Sequence, residues 1–199
     1  MIAGIILAAG ASSRMGSPKA LLEYQNETFI ERLVRVLSSV CDPVIVVLGY
    51  HAEAIRPTIE NSATIAMNPD PGRGQLSSLQ TGLAAVPEDA EGFLFIPVDS
   101  PAVDIETVGH VAAEFRRRSP ATLLVIPRIM RGQDARRGHP VFATRTIAEE
   151  ILALPTTAKA SDVIHGHIPE TVYVNVDDPG ILTDIDDPEA YRRLSEAAR

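Results

Sequence analysis

Hydrophobic positions along the chain fall into two alternating patterns. Short, nearly continuous apolar runs occupy residues 2–7, 44–48, 93–98 and 123–126, with weaker ones at 64–67 and 171–176. Runs of this length without polar alternation suit strands covered on both faces, as in a parallel sheet between helical layers. Helical periodicity fills the intervals. Thr28-Phe29-Ile30-Glu31 spells a capping box, and Ile30, Leu33, Val34 and Leu37 share one face of the helix that follows, to about residue 40. Further helices are predicted over 51–60, 76–85, 104–118, 146–154 and 157–165. Asp187-Pro188 opens a last one, an N-cap followed by proline at the first helical position.

Strand and helix in alternation predict a single-domain, doubly wound α/β fold over residues 1–199 with a mostly parallel sheet. Such sheets bind ligands at the carboxyl ends of strands, near a switch in strand order. No linker, internal repeat or low-complexity tract interrupts the pattern. The most loop-like stretch is 128–138, with four arginines and two glycines. It reads either as a mobile flap over a site or as a solvated connection.

Composition narrows the class. A chain of 199 residues, 45% hydrophobic and 22% charged, fits one domain with a sizeable core. No apolar run approaches the about 20 residues of a membrane span, and the N-terminal run is too short for a signal sequence. A cytoplasmic protein without a membrane partner is expected. The single cysteine, Cys41, excludes an internal disulfide and a cysteine-based zinc cage, and reads as a small core residue. A net charge of −8 argues against a nucleic-acid partner but not against a nucleotide, for which a few placed cations suffice.

The strongest chemical signal lies where the first apolar run ends, in Leu7-Ala8-Ala9-Gly10-Ala11-Ser12-Ser13-Arg14-Met15-Gly16-Ser17-Pro18-Lys19. A small, Gly-containing loop after a buried strand lets backbone N–H groups approach a phosphate chain, and Arg14 and Lys19 can neutralise it. The loop is neither a Walker A loop nor the G-x-G-x-x-G dinucleotide fingerprint. Pro18 pushes the residue before it out of the helical region, so the loop is irregular rather than the start of a helix. After the 93–98 run, Asp99 in Pro97-Val98-Asp99-Ser100-Pro101 stands at a strand end, where a carboxylate can bind a hard cation such as Mg²⁺ or merely cap a turn. Asp186 in Asp184-Ile185-Asp186-Asp187-Pro188-Glu189 can do the same or simply charge a helix N-terminus. Gly74, Gln75 and Ser78 open a helix with small and polar groups that suit ribose, base or plain capping. The histidines show no metal-ligand spacing beyond His165-x-His167, which lacks a third ligand.

The Leu7-to-Lys19 segment resembles the L-A-A-G-x-S-x-R-M-G-x-P-K signature loop of the MobA-like nucleotidyltransferases, without departure, and most resembles the molybdenum cofactor cytidylyltransferases. That resemblance implies a Rossmann-like nucleotidyltransferase fold related to the glycosyltransferase-A folds. It implies that the loop from Leu7 through Ser13 holds a triphosphate, with Arg14 on the β and γ phosphates and Lys19 near the transferring phosphorus. Asp99 matches the metal-binding acid of the family's P-x-D-x-P segment. Asp186 matches the second acid, in a segment similar to D-I-D-T-P-E with Asp187 in place of threonine. Residues 68–79 are similar to N-x-x-x-x-x-G-x-x-S-S-L, which puts Gly74, Gln75 and Ser78 near the nucleoside. Gly138-His139-Pro140-Val141 resembles the segment facing the second substrate, which assigns His139 to the acceptor. Ser100, within the P-x-D-x-P segment where relatives often carry Met or another residue, is also assigned to it.

The function so implied is transfer of a nucleoside monophosphate from an NTP to the phosphate of a molybdopterin-type acceptor, with Mg²⁺ and release of pyrophosphate. A molybdoenzyme would be the client of the product. Ala9, where the guanylyl branch carries glycine, favours CTP. An acceptor phosphate is ionised at neutral pH and needs no general base, which agrees with the lack of a Ser/His/Asp or Cys/His set. Transfer to another phosphorylated small molecule, such as a sugar phosphate, stays open. So does a non-catalytic delivery protein. An oxidoreductase is disfavoured by the missing fingerprint.

Overall fold

The computed structural model of the protein describes residues 1–197. In chain order the elements are β1 (Ile2–Ala8), β2 (Glu23–Tyr24), β3 (Glu27–Thr28), α1 (Phe29–Ser38), β4 (Val44–Leu48), α2 (Ala52–Ile59), β5 (Thr64–Met67), α3 (Gln75–Ala84), β6 (Gly92–Pro97), α4 (Ile105–Arg117), β7 (Leu124–Arg131), β8 (Asp134–Arg137), β9 (Val141–Thr144), α5 (Arg145–Ala153), α6 (Ala160–Gly166), β10 (Thr171–Asn175) and α7 (Pro188–Ala197). Seven strands run in the order β10-β7-β9-β6-β1-β4-β5, and β8 pairs with the outer half of β7 to complete an eight-stranded sheet. β6, β1, β4 and β5 are mutually parallel, and β10 is parallel to β7. Only β8 and β9 run against their neighbours.

Every residue of β1 and β4 is buried. The two sets of side chains on β1 go to different cores. Ile2, Ile6 and Ala8 pack with α1, α2, α4 and α7, whereas Ile5 and Leu7 pack with α3, α5 and α6. Helices on both faces are why these strands read as unbroken apolar runs. The capping box at α1 forms as its letters imply: the Glu31 amide donates to Thr28 Oγ1 at 3.3 Å, and the Thr28 amide donates to Glu31 Oε2 at 3.0 Å. Cys41 is buried, and burial pushes its thiol up to about 12. No helix among the described residues is long and apolar enough to cross a membrane.

Several elements differ from the sequence expectation. The 128–138 stretch is not a loop: β7 continues to Arg131 and turns back as β8. Gly132, at φ +64°, supplies the left-handed backbone that a two-residue hairpin turn needs between Arg131 and Asp134. The four-residue β9 and the two-residue β2 and β3 carry too short a pattern to stand out in the sequence. The sixth helix begins at Ala160 rather than 157.

Strand order reverses between β1 and β6. From β1 the chain moves outward through β4 and β5, then crosses by α3 to β6 on the other side of β1. This switch point opens a crevice at the strands' carboxyl ends, the place such folds use for ligands.

Candidate functional site

A cleft of about 360 Å³ occupies this crevice. One wall is the loop after β1. Gly10, Ala11, Ser13 and Arg14 on it are exposed. Ser12 adopts φ +51°, its carbonyl accepts from the Met15 amide at 2.9 Å, and its hydroxyl accepts from the Lys19 amide at 3.1 Å. These bonds fold the loop back on itself and bring Lys19 to the cleft. The loop seats closely on the end of β4, where a Cβ at Gly49 would lie 2.7 Å from the Ala9 carbonyl oxygen. Only glycine permits that approach.

The opposite wall is the end of β6. Asp99 lies just past it, and the acid-rich segment before α7 is stitched to the same turn. The Ile185 amide donates to the Asp99 carbonyl at 2.8 Å, and the Ser100 hydroxyl donates to Asp184 Oδ1 at 2.9 Å. Asp186 is thereby delivered to the cleft from 87 residues away in sequence (186 less 99). Lys19 Nζ then donates to Asp186 Oδ1 at 2.8 Å and to Asp99 Oδ2 at 3.4 Å, while Arg14 Nη2 lies 3.6 Å from Asp186 Oδ1.

The two acids have opposite electrostatics. Burial raises the Asp99 carboxyl above the ordinary range, against the pull of Lys19, and Asp184 and Asp186 add to the rise. The hydrogen bond from Lys19 holds Asp186 below it. Two carboxylates converging on one ammonium form an all-oxygen, anionic seat that a hard cation also fits. No group of three or more His, Cys, Asp or Glu side chains among the described residues could hold a metal ion. Asp99 and Asp186 are the two side chains here that could hold a magnesium-sized cation, an ion that usually takes one or two carboxylates and fills its shell with phosphate oxygens and water.

Arg32 holds the Asp99 turn from behind. Its guanidinium is buried, Nε donating to the Pro101 carbonyl at 2.7 Å and Nη2 to the Val103 carbonyl at 3.4 Å. Arg32→Ala should lower stability by about 2–4 kcal/mol, because two buried carbonyls lose a charged donor. Urea unfolding with an unchanged m-value checks this, and a midpoint equal to that of the parent would show that the turn stands without Arg32.

Of the sequence-derived residues, Leu7, Ala8, Ala9, Gly10, Ala11, Ser12, Ser13, Arg14, Lys19, Gly74, Gln75, Ser78, Asp99 and Asp186 all line this one cleft. Asn68 fixes the α3 wall, its amide donating to the Ser77 and Ser78 hydroxyls at 3.0 Å each. The two acceptor assignments fare differently. Ser100 is 1% exposed, and its hydroxyl is engaged by Asp184, so it holds the acid segment instead of facing a ligand. His139 is part-buried against Phe95, with ring centroids 5.6 Å apart and Nδ1 sealed without a partner, and it is not in the cleft lining. Burial holds its imidazole below the ordinary histidine range, against the pull of Asp184.

Sequence reasoning missed His51, which lines the cleft and whose Nε2 is 2.9 Å from the Ala11 carbonyl. It follows the end of β4, and the strand-end rule applied to that strand would have found it. Ile55, Pro71 and Pro97 add an apolar portion to the lining.

The chain is similar to several known proteins. The family model described as the MobA-like NTP transferase domain matches residues 4–172. A probable molybdenum cofactor guanylyltransferase of Bacillus cereus is 34% identical over 108 residues, which is 52% of this chain and 52% of that protein. The chain thus spans about half the length of that relative. A nicotine blue oxidoreductase of Paenarthrobacter nicotinovorans is 36% identical over 148 residues, 70% of this chain and 69% of that one. Among solved structures, Rv0371C of Mycobacterium tuberculosis in complex with manganese superposes with a TM-score of 0.77 at 28% identity, covering 98% of both chains. With a family model spanning most of its length, the chain belongs to the MobA-like NTP transferase domain family.

Proposed function

We propose that this protein transfers CMP from CTP to the phosphate of molybdopterin or its molybdenum-loaded form. The observation that carries the reading is the meeting of Lys19, Asp99 and Asp186 at the mouth of the loop after β1. An oxygen of the acceptor phosphate attacks the α-phosphorus in line. A P–O–P bond forms, the bond to the β-phosphate oxygen breaks, and pyrophosphate leaves. Lys19 donates to the α-phosphate as negative charge gathers there, and Arg14 neutralises the leaving β and γ phosphates. Exposed backbone at Gly10 and Ala11 lies along the triphosphate. Asp99 and Asp186 are the residues that would hold a magnesium ion, which would supply charge neutralisation at the reacting phosphate. The manganese complex of the mycobacterial relative supports divalent metal use in this fold.

Ala9 supports CTP, whereas the Bacillus relative carries a guanylyl name. A screen of the four NTPs with molybdopterin separates the two: pyrophosphate release with CTP well above GTP is expected, and the reverse order would assign GMP transfer. EDTA should abolish turnover and added Mg²⁺ should restore it. Turnover that persists in EDTA would exclude the two-acid metal seat.

A second reading, an oxidoreductase, is favoured by the nicotine blue oxidoreductase relative. Against it, β1 is not followed by the dinucleotide fingerprint, and the cleft gathers phosphate- and cation-binding groups. Oxidation of NADPH or NADH in the presence of an oxidised dye would establish it.

A further inference from the structure

The β7–β8 hairpin carries a cationic pair that the cleft does not use. Arg128 and Arg137 are direct partners across the two strands. Like charges facing each other in a strand pair are unfavourable, and among the described residues neither guanidinium has a carboxylate within ion-pair distance. Instead both lie against one aromatic ring: their guanidinium carbons are 5.2 and 5.4 Å from the centre of Tyr173. Arg137 Nη1 also donates to the Tyr173 hydroxyl at 3.1 Å, and Arg128 Nε donates to Asn175 Oδ1 at 2.7 Å. The pair is held in place, yet its remaining N–H donors are free of any acid. In a chain of net charge −8, such an arrangement is a preformed seat for an oxyanion.

Its position connects it to the cleft. Leu124 and Ile126 of β7 pack in the same core as Leu7, Phe95 and the α3 side chains Leu76 and Leu79. Side chains alternate along a strand, so Arg128 continues that face, and Arg137, its partner, shares it. The pair therefore lies on the α3 side of the sheet and, since β7 runs parallel with β6 through β9, at the same carboxyl edge as Asp99. The hairpin base is tied to the acid segment, the His139 amide donating to the Ile181 carbonyl at 3.0 Å. Two strand steps, β6 to β9 to β7, set the strand that ends at Asp99 and the strand of Arg128 about 10 Å apart across the sheet.

We infer that Arg128 and Arg137 bind an anionic group of the second substrate other than the phosphate that attacks. The inference rests on the transfer reading above and adds a property of the acceptor: it bears a second anionic group, apart from the phosphate that attacks.

Two measurements on the full chain test it separately from that reading. In the first, arginine Nε–Hε NMR signals are followed as inorganic phosphate is added with the triphosphate cleft saturated by CTP and Mg²⁺. Saturable shifts at Arg128 and Arg137, lost at Arg128 in Arg137→Gln, are expected. Shifts that are absent or do not saturate would overturn the site. In the second, Arg128→Gln and Arg137→Gln should each raise KM for molybdopterin about tenfold, with KM for CTP and kcat little changed and Arg137→Lys retaining part of the affinity. Turnover with KM for molybdopterin unmoved in both variants would overturn the inference and leave the transfer reading intact. Saturable anion binding without any turnover of molybdopterin would support the site and reject that acceptor.

Discussion

Asp99→Ala is expected to abolish nucleotidyl transfer while leaving the fold in place. The carboxylate stands at the end of β6, in reach of Lys19, on a turn fixed by Arg32 and by the Ile185 amide. In the proposed mechanism it is one of only two protein ligands for the cation, so its loss removes half of the protein's hold on that charge. A fall in kcat of about 10³-fold or more is expected. Stability should change little, because an acid whose charged form is disfavoured by burial gives the fold little. The backbone bond to Ile185 is also kept. The measurement is steady-state pyrophosphate release beside a thermal melt. Parental turnover in a folded variant would remove Asp99 from the reaction.

Lys19→Ala should come next in size. The side chain is 12% exposed and its ammonium bridges both acids, so in the proposed mechanism it sits where charge develops. Losing it should lower kcat by about 10²–10³-fold. It also leaves Asp99 and Asp186 without their shared cation. A loss confined to KM would mean that Lys19 only binds ground-state phosphate. Lys19→Arg keeps the charge on a longer, planar group and should recover little if the ammonium must fit between the two carboxylates.

The parallel core was legible because burial on both faces writes itself into sequence as unbroken apolar runs. β1, β4 and β6 needed nothing else. The antiparallel additions were not legible in the same way. β9 offers four residues, Val-Phe-Ala-Thr, too few for any period to register. The arginines of β7 and β8 read as loop because their polarity reflects an exposed hairpin rather than broken strand structure. Most of the cleft was legible from its loop, from the strand-end acid Asp99 and from the acid Asp186 before α7. What sequence could not show was how Asp186 reaches Asp99. That depends on the Ile185 amide and the Ser100 hydroxyl, single hydrogen bonds between distant segments. The same bonds explain why Ser100, adjacent in sequence to a site residue, lies beneath the site and not in it. Asp178 illustrates the reverse risk. It is another acid in the same stretch, but it accepts from the Gly180 and Asp104 amides and serves the backbone alone.

The most direct test is label transfer from CTP radiolabelled at its α-phosphate, with purified molybdopterin, Mg²⁺ and the full chain. Label is expected in a molybdopterin dinucleotide, with one pyrophosphate released per label transferred. Label that remains in CTP, or leaves as free CMP whether or not molybdopterin is present, would contradict transfer to that acceptor.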